Sequence, residues 1–262
     1  MSMNKEFAHI FEMGEFRFKY AKGMRDIIGK EIHNYHEIFF FLSGNAMFIS
    51  EKGKIILHPN TAVIIPRDTF HQFTVLGSES DYMRCVYNFT EVNELDDMIS
   101  QTLKNIKIVS EPHITEIFTE LRDLATENIN DAERRILLKA HLGRILVALN
   151  QSRESPHTYG VFSPITRKVI ETIAADLTGD LTSRTIAKAL GISVSHLQHV
   201  FKSDVQVPLH RYVLEKRLAY ASQLISLGAS ATDASINCGF GDYSGFYKQY
   251  KKYYGVSPSF HK

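Results

Sequence analysis

The chain has 262 residues, 44% of them apolar and 23% charged, which is enough apolar surface for one or two packed domains and excludes a disordered, collagen-like or disulfide-scaffold protein. Its formal charge of +1 argues, taken whole, against a nucleic-acid partner. The charge is uneven, however: residues 160–262 hold 12 Lys and Arg against 7 Asp and Glu, and residues 1–159 hold 18 against 22, so a basic half and an acidic half cancel.

Residues 1–7 carry no basic stretch followed by an apolar run, and no window resembles a membrane span, so a soluble cytoplasmic protein is expected. Two cysteines, Cys85 and Cys238, fall one in each half with no paired spacing, which suits a reducing compartment. From Glu15 to Thr90, short runs rich in Phe, Ile, Val and Tyr (EFRFKYA, EIFFFL, AMFIS, KIIL, AVII, DYMRCVYNF) are divided by Gly, Asn, Pro and Asp. Many short strands so spaced predict an antiparallel sandwich or barrel. From Glu94 the period lengthens. Ile114, Ile117, Phe118, Leu121 and Leu124 form one helical stripe, with Pro112 ahead of it. Ile136, Leu137, Ala140, Ile145, Leu146 and Leu149 form another, with Asp131 placed as its N-cap. The polar run QSRESPHTYG at 151–160 marks a linker where the charge balance turns over.

Residues 181–203, LTSRTIAKALGISVSHLQHVFKS, have helix-turn-helix spacing. Ala187 is small where two helices cross, Gly191 can take the left-handed turn, and Ile186, Leu190, Ile192, Leu197 and Val200 supply the core. Ser193 can cap a second helix presenting Val194, Ser195, Gln198, His199 and Lys202 outward. A second unit follows at 230–254, with Ser235 as the small residue, Gly239 at the turn, Asp242 as cap, and Phe246 and Tyr250 inward. Its outward face is Tyr243, Ser244, Gly245, Tyr247, Lys248 and Lys251. The two turn glycines lie 48 residues apart, joined by a helix that starts at Pro208 and carries Leu209, Val213, Leu218, Ala221, Leu224 and Ile225 toward Gly228.

The run GFGDYSGFYKQYKKYYGVSPSFHK resembles the DNA-binding domain of the AraC/XylS family of bacterial transcription regulators through Gly239-Phe240, Asp242, Phe246, Tyr250-Lys251, Gly255-Val256 and Pro258. The first unit matches through Leu181, Ile186-Ala187, Gly191, Ser193, Leu197, Phe201-Lys202 and Pro208. The resemblance implies seven helices, a long linker helix holding two recognition helices in successive major grooves, double-stranded DNA and RNA polymerase as partners, and a homodimer that activates or represses transcription. It places base reading on Ser195, Gln198, His199, Tyr243, Ser244 and Lys248, and phosphate contact on Lys202, Lys251 and Lys252. Gln198 is the foremost base reader, since glutamine can pair adenine on two atoms. His199 stands where the family often has Arg, Ser235 replaces an alanine, and Gly245 and Tyr247 occupy groove-facing positions, suggesting close backbone approach to DNA.

The runs HNYHEIFFFLSGNAMFI and LHPNTAVIIPRDTFHQF resemble the cupin-type sensor domain common in that family, through His33, Glu37, Gly44, Pro66, Asp68 and His71. The resemblance implies a small-molecule effector, a carbohydrate among the candidates, bound by His33, Tyr35, Glu37, His71 and Arg84, the last suited to an anionic group. Metal-binding cupins have a related spacing. Here Glu31, His33, Glu37 and His71 would be the ligand set, but pocket lining is the preferred reading, with no cofactor. His36 is expected on the opposite strand face, and Phe16, Phe18, Tyr35, Phe39, Phe41 and Tyr87 serve either as core or as stacking surfaces.

The expected architecture is multidomain: an N-terminal all-β cupin-like barrel plus helices, and a C-terminal all-α tandem helix-turn-helix domain. Boundaries are set at 1–92 for the sensing barrel, 93–150 for a helical dimerisation or linker region, 151–160 for the linker and 161–262 for the DNA-binding domain. The expected function is an effector-controlled, sequence-specific DNA-binding regulator with no catalytic step. The alternatives are a metal-dependent cupin enzyme fused to a DNA-binding domain, and a ligand-independent DNA-binding dimer.

Overall fold

The structure, a computed structural model, describes residues 7–23, 32–76, 82–153 and 159–260. The chain forms two compact units, the first built mainly on the strands and helices up to Tyr159 and the second on Gly160–Lys262 together with 32–34 and 49–54.

Strands β1 (Phe7–Glu12), β2 (Phe16–Lys22), β3 (His36–Ser43), β4 (Ala46–Ser50), β5 (Gly53–Leu57), β6 (Thr61–Ile65), β7 (His71–Val75), β8 (Met83–Phe89) and β9 (Lys107–Val109) make two sheets. The six-stranded sheet runs β1-β2-β8-β3-β6-β9 and the three-stranded one β5-β4-β7. Sequence reading anticipates six of these strands and misses β1, β7 and β9.

The register explains the Phe-rich runs. Phe18 pairs with Tyr87, Tyr87 with Ile38 and Ile38 with Ile64, so these four form one transverse row. The row lies in the core shared with helices α1 (Asp96–Thr102), α2 (Pro112–Thr126) and α3 (Asp131–Gln151). The next row, Lys19, Val86, Phe39 and Val63, turns to the opposite face, where Val86, Phe39 and Val63 pack with Phe48, Leu57 and Phe73. Successive side chains alternate in direction. A sheet buried on both faces therefore needs apolar residues at consecutive positions, as in Phe39-Phe40-Phe41. Phe40 stacks on Phe118 of α2 at 4.1 Å, and Phe39 on Phe73 at 3.9 Å, so the aromatic residues are core rather than open stacking surfaces.

The helical stripe predicted for α2 is buried as expected. That of α3 holds in its second half only: Ile145, Leu146 and Leu149 are buried, together with Arg134, Leu138, Leu142 and Ala148, whereas Ile136, Leu137 and Ala140 are exposed. The N-cap is Asn130 rather than Asp131, in a capping box with Glu133 that satisfies two orphan amides reciprocally. Burial pushes the thiols of Cys85 and Cys238 up, the latter to about 12, so both behave as small core residues.

The second unit contains α4 (Pro164–Ala175), α5 (Ser183–Ala189), α6 (Val194–Val205), α7 (Leu209–Ser226), α8 (Ala231–Asn237) and α9 (Tyr243–Tyr254), with a single 3-10 turn at Pro258–Phe260 where a seventh helix is implied. The two helix-turn-helix units close alike. Gly191 (φ 66°) and Gly239 (φ 75°) are left-handed, and the residue after each donates back five residues, Ile192 N to Ala187 O and Phe240 N to Ser235 O. All four helices carry a side-chain N-cap: Thr182, Ser193, Ser230 and Asp242.

Candidate nucleic-acid interface and barrel site

Helix α6 buries Leu197, Phe201 and Val205, which turns Ser195, Gln198, His199 and Lys202 to solvent on one face. Its first turn is held by Ser193 Oγ, which accepts from His196 N at 3.2 Å. Helix α9 buries Phe246 and Tyr250 and exposes Tyr243, Ser244, Lys248, Lys251 and Lys252. Along it runs a ladder of rings, Tyr243 on Phe246 at 6.0 Å, Phe246 on Tyr250 at 5.3 Å and Tyr250 on Tyr254 at 4.6 Å, which limits the rotamers of the helix before any partner arrives.

Gly245 has a local structural reason. Its amide donates to Asp242 Oδ1 at 2.7 Å, and a Cβ there would sit 3.0 Å from Asp242 Oδ2. The glycine makes room for the capping carboxylate, which accounts for it without a DNA contact.

The two units are joined through Arg217 on α7, a residue sequence reading passes over. Its Nε donates to Leu177 O at 3.0 Å and its Nη2 to Gly179 O at 2.7 Å, tying the α4–α5 loop to the linker helix. A Cβ on Gly239 would fall 3.0 Å from the same guanidinium and 2.7 Å from Thr178 O. The loop before the first helix-turn-helix unit, the linker helix and the turn of the second therefore meet at one point. Such a junction fixes the separation of two recognition helices.

In the barrel, Glu37 is the hub. Its Oε2 accepts from Asn88 Nδ2 at 2.8 Å, and its Oε1 lies 3.8 Å from His71 Nε2. His71 Nδ1 is 3.1 Å from Thr69 O, an arrangement in which Nδ1 carries the proton and leaves Nε2 facing Glu37. Within the first unit Glu37 and His71 thus form an O, N pair compatible with a hydrogen-bonded cluster, while His33 is buried in a segment of the second unit. Glu31 lies outside the described residues. His36 faces the other way, its Nδ1 accepting from Arg67 N at 3.2 Å.

Arg84, read from sequence as a hook for an anion, is 4% exposed, donates to Gly23 O at 2.7 Å and covers the Tyr82 ring at 4.9 Å, so its guanidinium serves the fold. Tyr35 lines a cavity of about 360 Å³ at the β1–β2 turn, and none of His33, Glu37, His71 and Arg84 does. Burial, then the nearby Glu37 carboxylate, raises the Tyr35 phenol, which stays protonated. Apart from Tyr35 and Phe16, the residues of this cavity carry no local motif and are not anticipated by the sequence.

A helix-turn-helix domain family matches residues 186–261. The transcriptional activator AarP of Providencia stuartii is 31% identical over 101 residues, 38% of this chain and 75% of that protein. The probable transcriptional regulator LumQ of Photobacterium leiognathi is 20% identical over 229 residues, 87% of this chain and 89% of that one. A crystal structure of ToxT from Vibrio cholerae aligns over 98% of this chain and 96% of its own at 16% identity, with a TM-score of 0.41. With two capped helix-turn-helix units on one linker helix and the relationship to AarP across three quarters of that activator, the chain belongs to the AraC/XylS family of DNA-binding transcription regulators.

Proposed function

We propose that the protein is a homodimeric regulator that reads two successive major grooves with α6 and α9, and whose barrel takes a small-molecule effector that biases DNA binding. It acts without a catalytic step and by contact with RNA polymerase. The observation that carries the DNA reading is the matched pair of capped helices, each with its apolar side buried and its polar side exposed. Ser195, Gln198, His199, Tyr243, Ser244 and Lys248 face bases in this reading, and Lys202, Lys251 and Lys252 face phosphates. Gln198→Ala is expected to cost roughly 1–3 kcal/mol on the cognate site and to relax one base position, whereas Lys251→Ala weakens all sequences alike and lowers the salt slope by about 1. Equal loss on cognate and random DNA for Gln198→Ala removes it from the base readers.

Dimerisation is supported by α3, which carries a second apolar stripe. Ile136 is 69% exposed and Val147 46%, with Leu137 and Ala140 exposed on the same side. A second copy packed two-fold across Ala140 would cover it. Sedimentation is expected to show a dimer that Ile136→Glu converts to monomer. An unchanged sedimentation profile places the interface elsewhere.

A further inference from the structure

We propose that Lys54 and Glu51, at the turn between β4 and β5, are positioning residues for DNA reading: they fix α6 against α4 and α7 and so set the angle at which the recognition helix meets the groove. Residues 49–54 pack as part of the second compact unit, the one that carries the helix-turn-helix pair. Gly53, at φ 133°, and the bond from Lys52 N to Ser50 Oγ at 3.3 Å shape the turn. The backbone of Lys54 is bonded twice to Gly160. Its amide donates to Gly160 O at 3.2 Å and its carbonyl accepts from Gly160 N at 2.7 Å, which registers the turn on the residues that lead into α4.

Each side chain then holds a different helix. Lys54 Nζ reaches the C-terminal end of α6, 3.0 Å from Asp204 Oδ1 and 3.3 Å from Ser203 O, a carbonyl that also accepts from Gln206 Nε2 at 2.8 Å. A cation there meets the negative end of the helix dipole and last-turn carbonyls that have no intrahelical donor. The other oxygen of Asp204 accepts at 2.9 Å from the amide of Ser163, the N-cap of α4, so one carboxylate joins the end of α6 to the start of α4 and to Lys54. Glu51 Oε1 accepts from Tyr212 OH at 2.7 Å and lies 2.9 Å from Lys216 Nζ, both on α7. Tyr212 is buried; burial, then the Glu51 carboxylate, keeps its phenol protonated as a donor, and its ring meets Phe201 of α6 at 5.5 Å. Gln198 lies six residues before Asp204, under two helical turns, so a tilt at this clamp is carried along a stiff helix to the base-reading face.

This role rests on the reading of α6 proposed above, and it is separable from a charge effect. Asp204→Asn and Glu51→Gln each remove a negative charge, which by charge alone would strengthen binding to every sequence. Loss of positioning instead weakens binding to the preferred sequence. The full-length wild-type protein is used to select a preferred duplex from random DNA, and the folded fraction of each variant, measured by circular dichroism, is titrated with that duplex and with a scrambled one. Lys54→Met, Asp204→Asn and Glu51→Gln are each expected to lower the ratio of selected to scrambled affinity roughly fivefold, and Lys54→Arg, which keeps the charge and the donors, to recover most of it. An unchanged ratio in Lys54→Met and Asp204→Asn, or no recovery in Lys54→Arg, overturns the proposal. So does a ratio that rises, because the turn would then restrain α6 instead of placing it. A wild-type protein that selects no sequence strikes the reading of α6 itself, and this role with it.

Discussion

Gly239→Ala is expected to destabilise the DNA-binding unit severely and abolish specific binding, whereas Gly191→Ala, at the equivalent turn, is expected to be mild. Both glycines are left-handed, at φ 75° and 66°, so an alanine at either carries backbone strain of about 1 kcal/mol. The surroundings separate them. Nothing lies within 4 Å of a Cβ built on Gly191, but one built on Gly239 meets Thr178 O at 2.7 Å and Thr178 Cα at 3.0 Å. Those are backbone atoms, held by the Arg217 bonds to Leu177 O and Gly179 O, and cannot swing aside as a side-chain tip would. Forced separation of packed backbone adds roughly 2–3 kcal/mol, giving a total near 3–4 kcal/mol for Gly239→Ala. Chemical denaturation of both variants, with operator binding by the folded fraction, measures the contrast. In Gly239→Ala the two recognition helices should lose their fixed separation, so specific affinity falls further than non-specific affinity. Equal destabilisation by the two substitutions would show that the left-handed strain, and not the junction with Thr178, sets the cost.

The helix-turn-helix units were legible because their signals are short-range. A small residue, a turn glycine four positions on, then a capping residue specify the crossing, the left-handed turn and the first amide of the second helix without long-range information. The strands with Phe-rich runs were legible for a similar reason, although β9, three residues long, is too short to show a period. Helix α3 shows where periodicity fails. It carries apolar residues on two sides, so Ile136 and Leu137 compete with Leu138 and Leu142 for the inward phase, and the buried Arg134 on the true inner side argues locally for the wrong answer.

The barrel site divides the same way. Glu37 and His71 are named from the family resemblance, and the structure sets them 3.8 Å apart although β3 and β7 belong to different sheets, a proximity that no local strand pattern encodes. Arg84 alternates with Tyr82 in a pattern that suits a ligand hook, yet its partner is the carbonyl of Gly23, 61 residues earlier. The cavity depends on three strand ends converging through register. No one segment holds that information, so Arg17 and Asn88 carry no signal in the sequence, and of the residues read as ligand-binding only Tyr35 lines the cavity.

Arg134→Met is expected to cost the first unit about 2–4 kcal/mol, the sum expected when a buried charged donor is removed and backbone carbonyls lose their partners. Helix α2 ends at Thr126, which leaves its last carbonyls without intrahelical donors. Arg134, 7% exposed on the first turns of α3, supplies them: Nη1 donates to Leu124 O at 2.6 Å, and Nη2 to Glu127 O at 2.7 Å and Ile129 O at 3.4 Å. The guanidinium also covers the Phe11 ring at 4.5 Å, so one side chain binds the end of α2, the α2–α3 loop and strand β1. Methionine keeps the stem and its packing, which isolates the donors as the cause. Lysine keeps the charge but replaces a planar fork by a single point, and cannot reach carbonyls at Leu124 and Glu127 together, so Arg134→Lys should recover no more than about half of the loss. Urea unfolding of the three proteins gives the ordering directly, as midpoints shifted at constant slope. A loss below about 1 kcal/mol for Arg134→Met would mean that water reaches those carbonyls, and would move the fastening of α2 to α3 from this guanidinium to the apolar contacts of Phe118, Leu121 and Leu138.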